Sequence, residues 1–321
     1  MRIHLDTDLG GDTDDACALA MLLGWSGAEL VGVTTSIDPA GRRAGCVAHL
    51  LELAGRQDVP VVAGAEVSLT KREALEPSIH DPRQWPSGLA ARPSSPGAAL
   101  DALQRSIDGG ATLVAIGPYT NLALLEMVRP GALSDASVVV MGGWLVPPGD
   151  GLPAWGPDRD SNVQWDTLAA EVVVAASGQL TLVTLPASMK ACLRTAQLPR
   201  LSAAGPVGEL LARQAEAYAE EYAMDALGAA YDLLPDDLLN FQYDPVACAV
   251  ALGWRGAVVE EQRLRTVVDG ELLRFQRHAD GRPVNVVTDV DGPAFEEMWL
   301  ATVERLTARV TVRMPTVPGF D

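Results

Sequence analysis

Six short β-branched runs, "RIHLDT", "LVGVTT", "VPVVAG", "TLVAIG", "SVVVMGG" and "LTLVTLP", recur over residues 2–186. Between them lie 14–24, 40–55, 97–109, 120–128 and 166–177, where apolar residues fall at three- and four-residue spacing after Asp, Thr, Asn or Pro. Such alternation leaves few options, because consecutive parallel strands must be joined by crossovers and the helices then cover both sheet faces. From Val258 onward "VVEEQRLRTVV" and "PVNVVTDV" read as further strands and 293–308 as a helix. The expected fold is therefore α/β, one open and mostly parallel sheet flanked by helices, spanning 1–321 as a single domain. A chain with 48% hydrophobic residues can fill such a core.

Two stretches interrupt this rhythm. Residues 67–97 and 144–165 are long, rich in Pro and Gly, and carry four of the seven tryptophans. Loops of that length in a compact domain are usually functional or disordered, and tryptophan argues against disorder. They are expected to wall a pocket.

The chemistry concentrates in "HLDTDLGGDTDDACA", where Asp6, Asp8, Asp12, Asp14 and Asp15 crowd into ten positions. If 2–7 is a strand, Asp6 and Asp8 share one side, about 6–7 Å apart, at the end where open α/β sheets bind ligands. Gly10 and Gly11 permit a tight turn, which brings Asp14 and Asp15 to the start of the next helix. Alone, Asp14 reads as an ordinary first-turn residue. The helix dipole contributes only about 0.3–1 kcal/mol per carboxylate, too little to hold the whole set ionised in a cleft. A bound cation is the economical answer, and all-oxygen ligation indicates Ca²⁺ or Mg²⁺. His4 lies about 13 Å along the strand from Asp8 and cannot join them.

The net charge of −18 argues against a nucleic-acid polymer as partner. "MRIHLDTD" lacks a signal-peptide core, and no run of about eighteen apolar residues is present to span a bilayer. The expected location is the cytoplasm. Cys17, Cys46, Cys192 and Cys248 show no metal or disulfide spacing and read as buried thiols.

At this level of detail the chain resembles the nucleoside hydrolase family of the inosine-uridine-preferring type. "DTDLGGDTDDACALAMLL" resembles its N-terminal signature, in a variant with two extra residues before the Asp pair. "LVGVTT" and "LLELAGRQDVPVVAGAE", "TLVAIGPYTNLALL", "VVVMGG" with "DSNVQWDTLAAEVV", and "YDPVACAVAL" resemble further segments in the family's order. The resemblance implies a Rossmann-like nucleoside hydrolase fold and a homo-oligomer, dimer or tetramer. Its activity is Ca²⁺-dependent hydrolysis of a purine or pyrimidine ribonucleoside to ribose and free base.

By the same resemblance Asp8, Asp15, Asp244 and the backbone carbonyl of Thr120 would ligate calcium. Asp8 would be the general base, Asp14 and Asn162 would bind ribose hydroxyls, Met141 would pack beside the sugar, and Asp6 would support the loop. The pattern is not followed throughout. Asp160 stands where the family usually has Glu, Tyr243 where a His often helps protonate the leaving base, and Asp38-Pro39 where a Gly-Asn follows the second strand. A phenol, with a reference pKa near 10, is a poorer acid than imidazole. His80 is a candidate at the pocket, and Trp85, Trp144, Trp155, Tyr218, Tyr222 and Tyr231 are candidates for stacking. The alternatives are a phosphohydrolase using Asp6 and Asp8 with Mg²⁺, and a ribosyl-ligand-binding protein without hydrolysis.

Overall fold

The protein is described by a computed structural model covering residues 1–74 and 81–313, so His80 lies outside the described residues. In chain order the strands are β1 (Arg2–Thr7), β2 (Glu29–Thr35), β3 (Val61–Ala63), β4 (Thr112–Ala115), β5 (Ser137–Met141) and β6 (Gln179–Val183). There follow β7 (Cys192–Arg194), β8 (Leu238–Phe241), β9 (Ala257–Asp269), β10 (Leu272–Arg277) and β11 (Arg282–Val290). Nine of them form one sheet in the order β10-β9-β11-β6-β5-β4-β1-β2-β3, while β7 and β8 pair separately. From β3 to β11 every pairing is parallel, with β1 set between β2 and β4. The last two, β9 on β11 and β10 on β9, are antiparallel.

The sheet is mostly parallel, as the alternation requires, and the order reverses between β1 and β4. That reversal opens a crevice beyond the carboxyl ends of these two strands. Five expected helices are present as Asp14–Gly24, Arg42–Leu53, Ala98–Asp108, Thr120–Val128 and Thr167–Ala176. Every residue of Asp14–Gly24 is buried, consistent with an apolar surface all round it. Helices Tyr243–Ala251 and Gly292–Arg313 pack against it, and Trp299 Nε1 donates to the Cys17 carbonyl at 3.2 Å. A carboxylate-bearing helix start is thereby fixed from several sides.

Besides the β7–β8 pair, two parts lie outside the sequence expectations. Strand β10 extends the antiparallel edge, its Leu273 and Phe275 buried between exposed arginines and glutamine. Helices Leu198–Ala203, Gly205–Tyr222 and Met224–Ala229 fill the interval before β8. Among the described residues no helix is long and apolar enough to cross a membrane.

Candidate active site

The crevice between β1 and β4 is a cavity of about 370 Å³. The two loops meet so closely there that a Cβ at Gly117 would stand 2.7 Å from Asp8 Oδ1 and 2.8 Å from its backbone nitrogen. Only glycine tolerates that approach.

Asp8, Asp12, Asp14, Asp15 and Asp244 line this cavity. Asp14 and Asp15 are the first two residues of helix Asp14–Gly24, and Asp244 is the second of helix Tyr243–Ala251. Two helix N-termini therefore aim their carboxylates at one point. The side chains of Asp14, Asp15 and Asp244 are buried, each offering an oxygen within 4.8 Å of the others. Burial first, and repulsion from neighbouring aspartates including Asp8 and Asp12 second, push all three carboxyls well above the usual range. Three ionised carboxylates at that spacing require a positive partner, and a hard divalent cation matches the donor set. The residues thus fit a hard divalent cation.

Other expected residues sit differently. Half-buried Asp8 lines the cavity but is outside the three-carboxylate group; its carboxyl is raised by burial, against which the Arg43 charge acts. Thr120 opens helix Thr120–Val128, fully buried, and its hydroxyl donates to Asp166 Oδ2 at 2.7 Å; it is not part of the cavity lining. Asn162 and Met141 both line the cavity, with Asn162 Nδ2 donating to the carbonyls of Ile116 (2.8 Å) and Met141 (3.2 Å). Asp160 also lines it, yet both its oxygens accept backbone N–H groups, from Gly143 at 2.6 Å and Val163 at 3.2 Å. Burial outweighs those bonds and raises its carboxyl to about 6.

Tyr243 faces the cavity with its ring stacked on Phe241 at 5.2 Å. Burial, then the charges of Asp12 and Asp14, push its phenol well above 10, so the hydroxyl stays protonated. Tyr218 and Tyr222, stacked at 4.5 Å, also reach the cavity. Trp85 and Trp144 do not; both are buried in the core, while Trp155 packs edge-on against Phe241 and Tyr231 packs beside it. Large indoles fill core volume more readily than they hold open a polar cleft. Of the two long stretches, 144–165 supplies Arg159, Asp160, Ser161 and Asn162, and 67–97 supplies Gln84.

Asp6 is not paired with Asp8 in the cleft. It is 1% exposed, and its Oδ1 accepts from Thr34 and, at 2.8 Å, from Asn121. A phosphohydrolase needing both carboxylates on one metal has no such pair here.

Sequence reasoning missed Arg43 and the bracing of Asp12. Asp12 Oδ1 accepts from Asn240 at 2.5 Å and from the Thr13 amide at 2.6 Å, and Asp12 also bonds the Tyr218 hydroxyl. The signal for Arg43 was electrostatic. Arg42 and Arg43 open helix Arg42–Leu53, where the dipole disfavours cations, so something nearby had to compensate.

Residues 3–297 match the family model described as inosine-uridine preferring nucleoside hydrolase. The pyrimidine-specific ribonucleoside hydrolase RihA of Salmonella schwarzengrund is 27% identical over 311 residues, covering 93% of this chain and 96% of RihA. An uncharacterized protein of Schizosaccharomyces pombe is 30% identical over 242 residues, 70% of this chain and 76% of its own length. Among solved structures, a plant nucleoside hydrolase superposes with a TM-score of 0.76 at 24% identity, covering 96% of this chain and 99% of that one. A purine-preferring ribonucleoside hydrolase from Gardnerella vaginalis gives 0.75 at 21%, with the same coverage. The match over nearly the whole chain, on a fold that gathers the aspartates of its first signature at the strand ends, means that the chain belongs to the inosine-uridine preferring nucleoside hydrolase family, enzymes that cleave N-glycosyl bonds of ribonucleosides.

Proposed function

We propose that this chain hydrolyses the N-glycosidic bond of a purine or pyrimidine ribonucleoside at a calcium centre, releasing ribose and free base. The observation that carries the reading is the buried Asp14, Asp15 and Asp244 group opening with Asp8 into one cavity at the sheet's reversal point. Asp15 and Asp244 would hold the ion with Asp8, and Asp14 would divide its oxygens between that centre and the ribose hydroxyls. Bound calcium would lower the pKa of a coordinated water and anchor the sugar's vicinal hydroxyls.

Asp8 then takes the proton from the attacking water. Its carboxyl stands at the cavity surface, and the nearby Arg43 charge favours its ionised form. Positive charge grows on the ribosyl ring as the base departs, and the surrounding carboxylates stabilise it. Asn162 and Met141 border the sugar from the β5 side. Among the described residues no histidine lines the cavity: His4 is buried within β1, bonded to Ser106 and Thr34, and His49 lies against Trp85. The protonated Tyr243 hydroxyl supplies the hydrogen bond to the leaving base, and Tyr218 and Tyr222 supply its stacking wall. The relatives are named for pyrimidine as well as purine substrates, so the panel below includes both. We place the enzyme in the cytoplasm, where its four buried free thiols stay reduced.

The test is ribose release from purine and pyrimidine ribonucleosides, with calcium and with chelator, in wild type and Asp8→Asn. Calcium-dependent release that falls by about 10²–10⁴-fold in the variant is expected. Release unaffected by chelator, or retained in Asp8→Asn, defeats the reading.

A further inference from the structure

The carboxylates do not stand alone. Arg43 is 1% exposed, yet it lines the same cavity as Asp8, Asp14, Asp15 and Asp244. Its Nη1 donates to the Asp8 carbonyl and, at 3.5 Å, to that of Leu9; its Nε donates to the Ile37 carbonyl at 2.9 Å. One planar guanidinium therefore ties the turn after β1 to the turn after β2.

The second turn is built to present it. Ile37 and Ala40 both hold positive φ, 49° and 59°, a left-handed conformation costing non-glycine residues about 1–2 kcal/mol. Gly41 follows at φ 73°, where a Cβ would meet the Arg92 backbone at 2.3 Å. The surroundings over-determine this conformation: Asp38 accepts from the Thr35 hydroxyl (2.7 Å) and from the amides of Arg43 (2.7 Å) and Ala44 (3.0 Å). Its own amide donates to Ala65 O at 2.8 Å, and Arg92 N donates to Gly41 O at 2.8 Å. Strain of this kind persists where it serves a placement. Here it sets the start of helix Arg42–Leu53 so that its second residue meets Asp8.

We propose that Arg43 is a positioning residue of the aspartate centre: an internal cation that fixes the Asp8 turn and offsets part of the carboxylate charge, so that it opposes metal binding while supporting turnover. The inference rests on the calcium-centre reading above. Its direction is counter-intuitive. A merely structural arginine, once removed, would loosen the site and weaken the metal. An internal cation, once removed, leaves the carboxylates more negative and the metal bound more tightly.

The test is isothermal titration of CaCl₂ into the full-length wild type, Arg43→Met and Arg43→Lys, with kcat measured at saturating calcium. Arg43→Met, which keeps length and loses charge, should bind calcium about five- to tenfold more tightly while kcat falls about 100-fold. Arg43→Lys should keep calcium affinity within about twofold of wild type but lose kcat, because an ammonium does not reproduce the planar fork. Unchanged or weaker calcium binding in Arg43→Met overturns the proposal. Wild-type kcat in Arg43→Lys overturns it also, and decides alone if Arg43→Met does not fold. Wild type that binds no calcium removes the calcium-centre reading and this proposal together, whereas wild type that binds it with an unaltered Arg43→Met affinity removes only the role of Arg43.

Discussion

Strand β1 carries polar clusters at two levels, and they are built on opposite rules. In the body of the strand His4 Nδ1 meets Ser106 Oγ at 2.7 Å, its Nε2 meets Thr34 Oγ1 at 3.1 Å, and Thr34 and Asn121 both donate to Asp6 Oδ1. Burial lowers the His4 imidazole to about 3 and raises the Asp6 carboxyl to about 7, so both are neutral over most of the neutral-to-acid range. Two residues further on, at the strand's end, Asp8 faces Asp14, Asp15 and Asp244 across a cavity, with Arg43 as the internal cation beside them. The first cluster removes charge and hydrogen-bonds most of its atoms, Asp6 Oδ2 excepted; the second accumulates charge and leaves it for a ligand. A buried polar group that is neutral and hydrogen-bonded holds the fold together, whereas one whose charge needs an outside partner marks the site.

The sharpest way to break this contrast is Asp15→Asn. With calcium, activity should fall at least about 100-fold as a ligand is lost. In chelator the same variant should melt about 2 °C higher than wild type, because one of several repelling carboxylates is gone. A lower melting temperature in chelator would place Asp15 with the structural cluster. Second in size is a pH effect at Asp160, a carboxylate on the cavity whose oxygens are nevertheless occupied by amides. Its folded-state value of about 6 lies above its ordinary 3.8, so between those pH values the native state keeps a proton that the unfolded chain releases. The contribution of Asp160 to stability must therefore fall as pH rises from 3.8 to 6, by up to about 3 kcal/mol, and level off above. Urea unfolding in chelator at pH 4 and pH 6.5 should show a loss of stability in wild type that is smaller by up to about 3 kcal/mol in Asp160→Asn, the remainder belonging to Asp6 and to the raised carboxyls of Asp14, Asp15 and Asp244.

What the sequence disclosed follows the same division. Local rules sufficed for β1, for the helix beginning at Asp14, and for a carboxylate cluster around Asp14 and Asp15 that could hold a cation, since period and like-charge repulsion act over a few residues. Asp6 could not be separated from Asp8 by spacing alone; only Thr34 and Asn121, from β2 and the helix after β4, make it structural. Arg43 was hidden for a related reason. It lies 35 positions from Asp8, and its direction depends on two left-handed residues, Ile37 and Ala40, that no propensity favours. The aromatic candidates could not be sorted by sequence either: Trp85 and Trp144 are consumed by the core, whereas Tyr218 and Tyr222, from helix Gly205–Tyr222, reach the cavity, a difference that long-range packing decides.

On the structural side, Asn121→Ala removes the donor to Asp6 and to the Thr35 carbonyl (3.0 Å) and the acceptor for the Ala65 amide (2.9 Å). The loss should be about 2 kcal/mol, or about 3 °C in melting temperature, equal with and without calcium. A calcium-dependent loss would show that the two clusters are coupled. The smallest effect concerns the leaving base. Because burial keeps the Tyr243 phenol protonated, it acts as a hydrogen-bond donor with no titration of its own in the neutral range. Tyr243→Phe should therefore lower kcat about fivefold for nucleosides with poor leaving groups and by less than about twofold for an activated aryl riboside, without shifting the basic limb of the pH profile. Equal losses on both substrates would reduce Tyr243 to a stacking partner of Phe241, and the protonating group would then have to come from solvent or from the base itself.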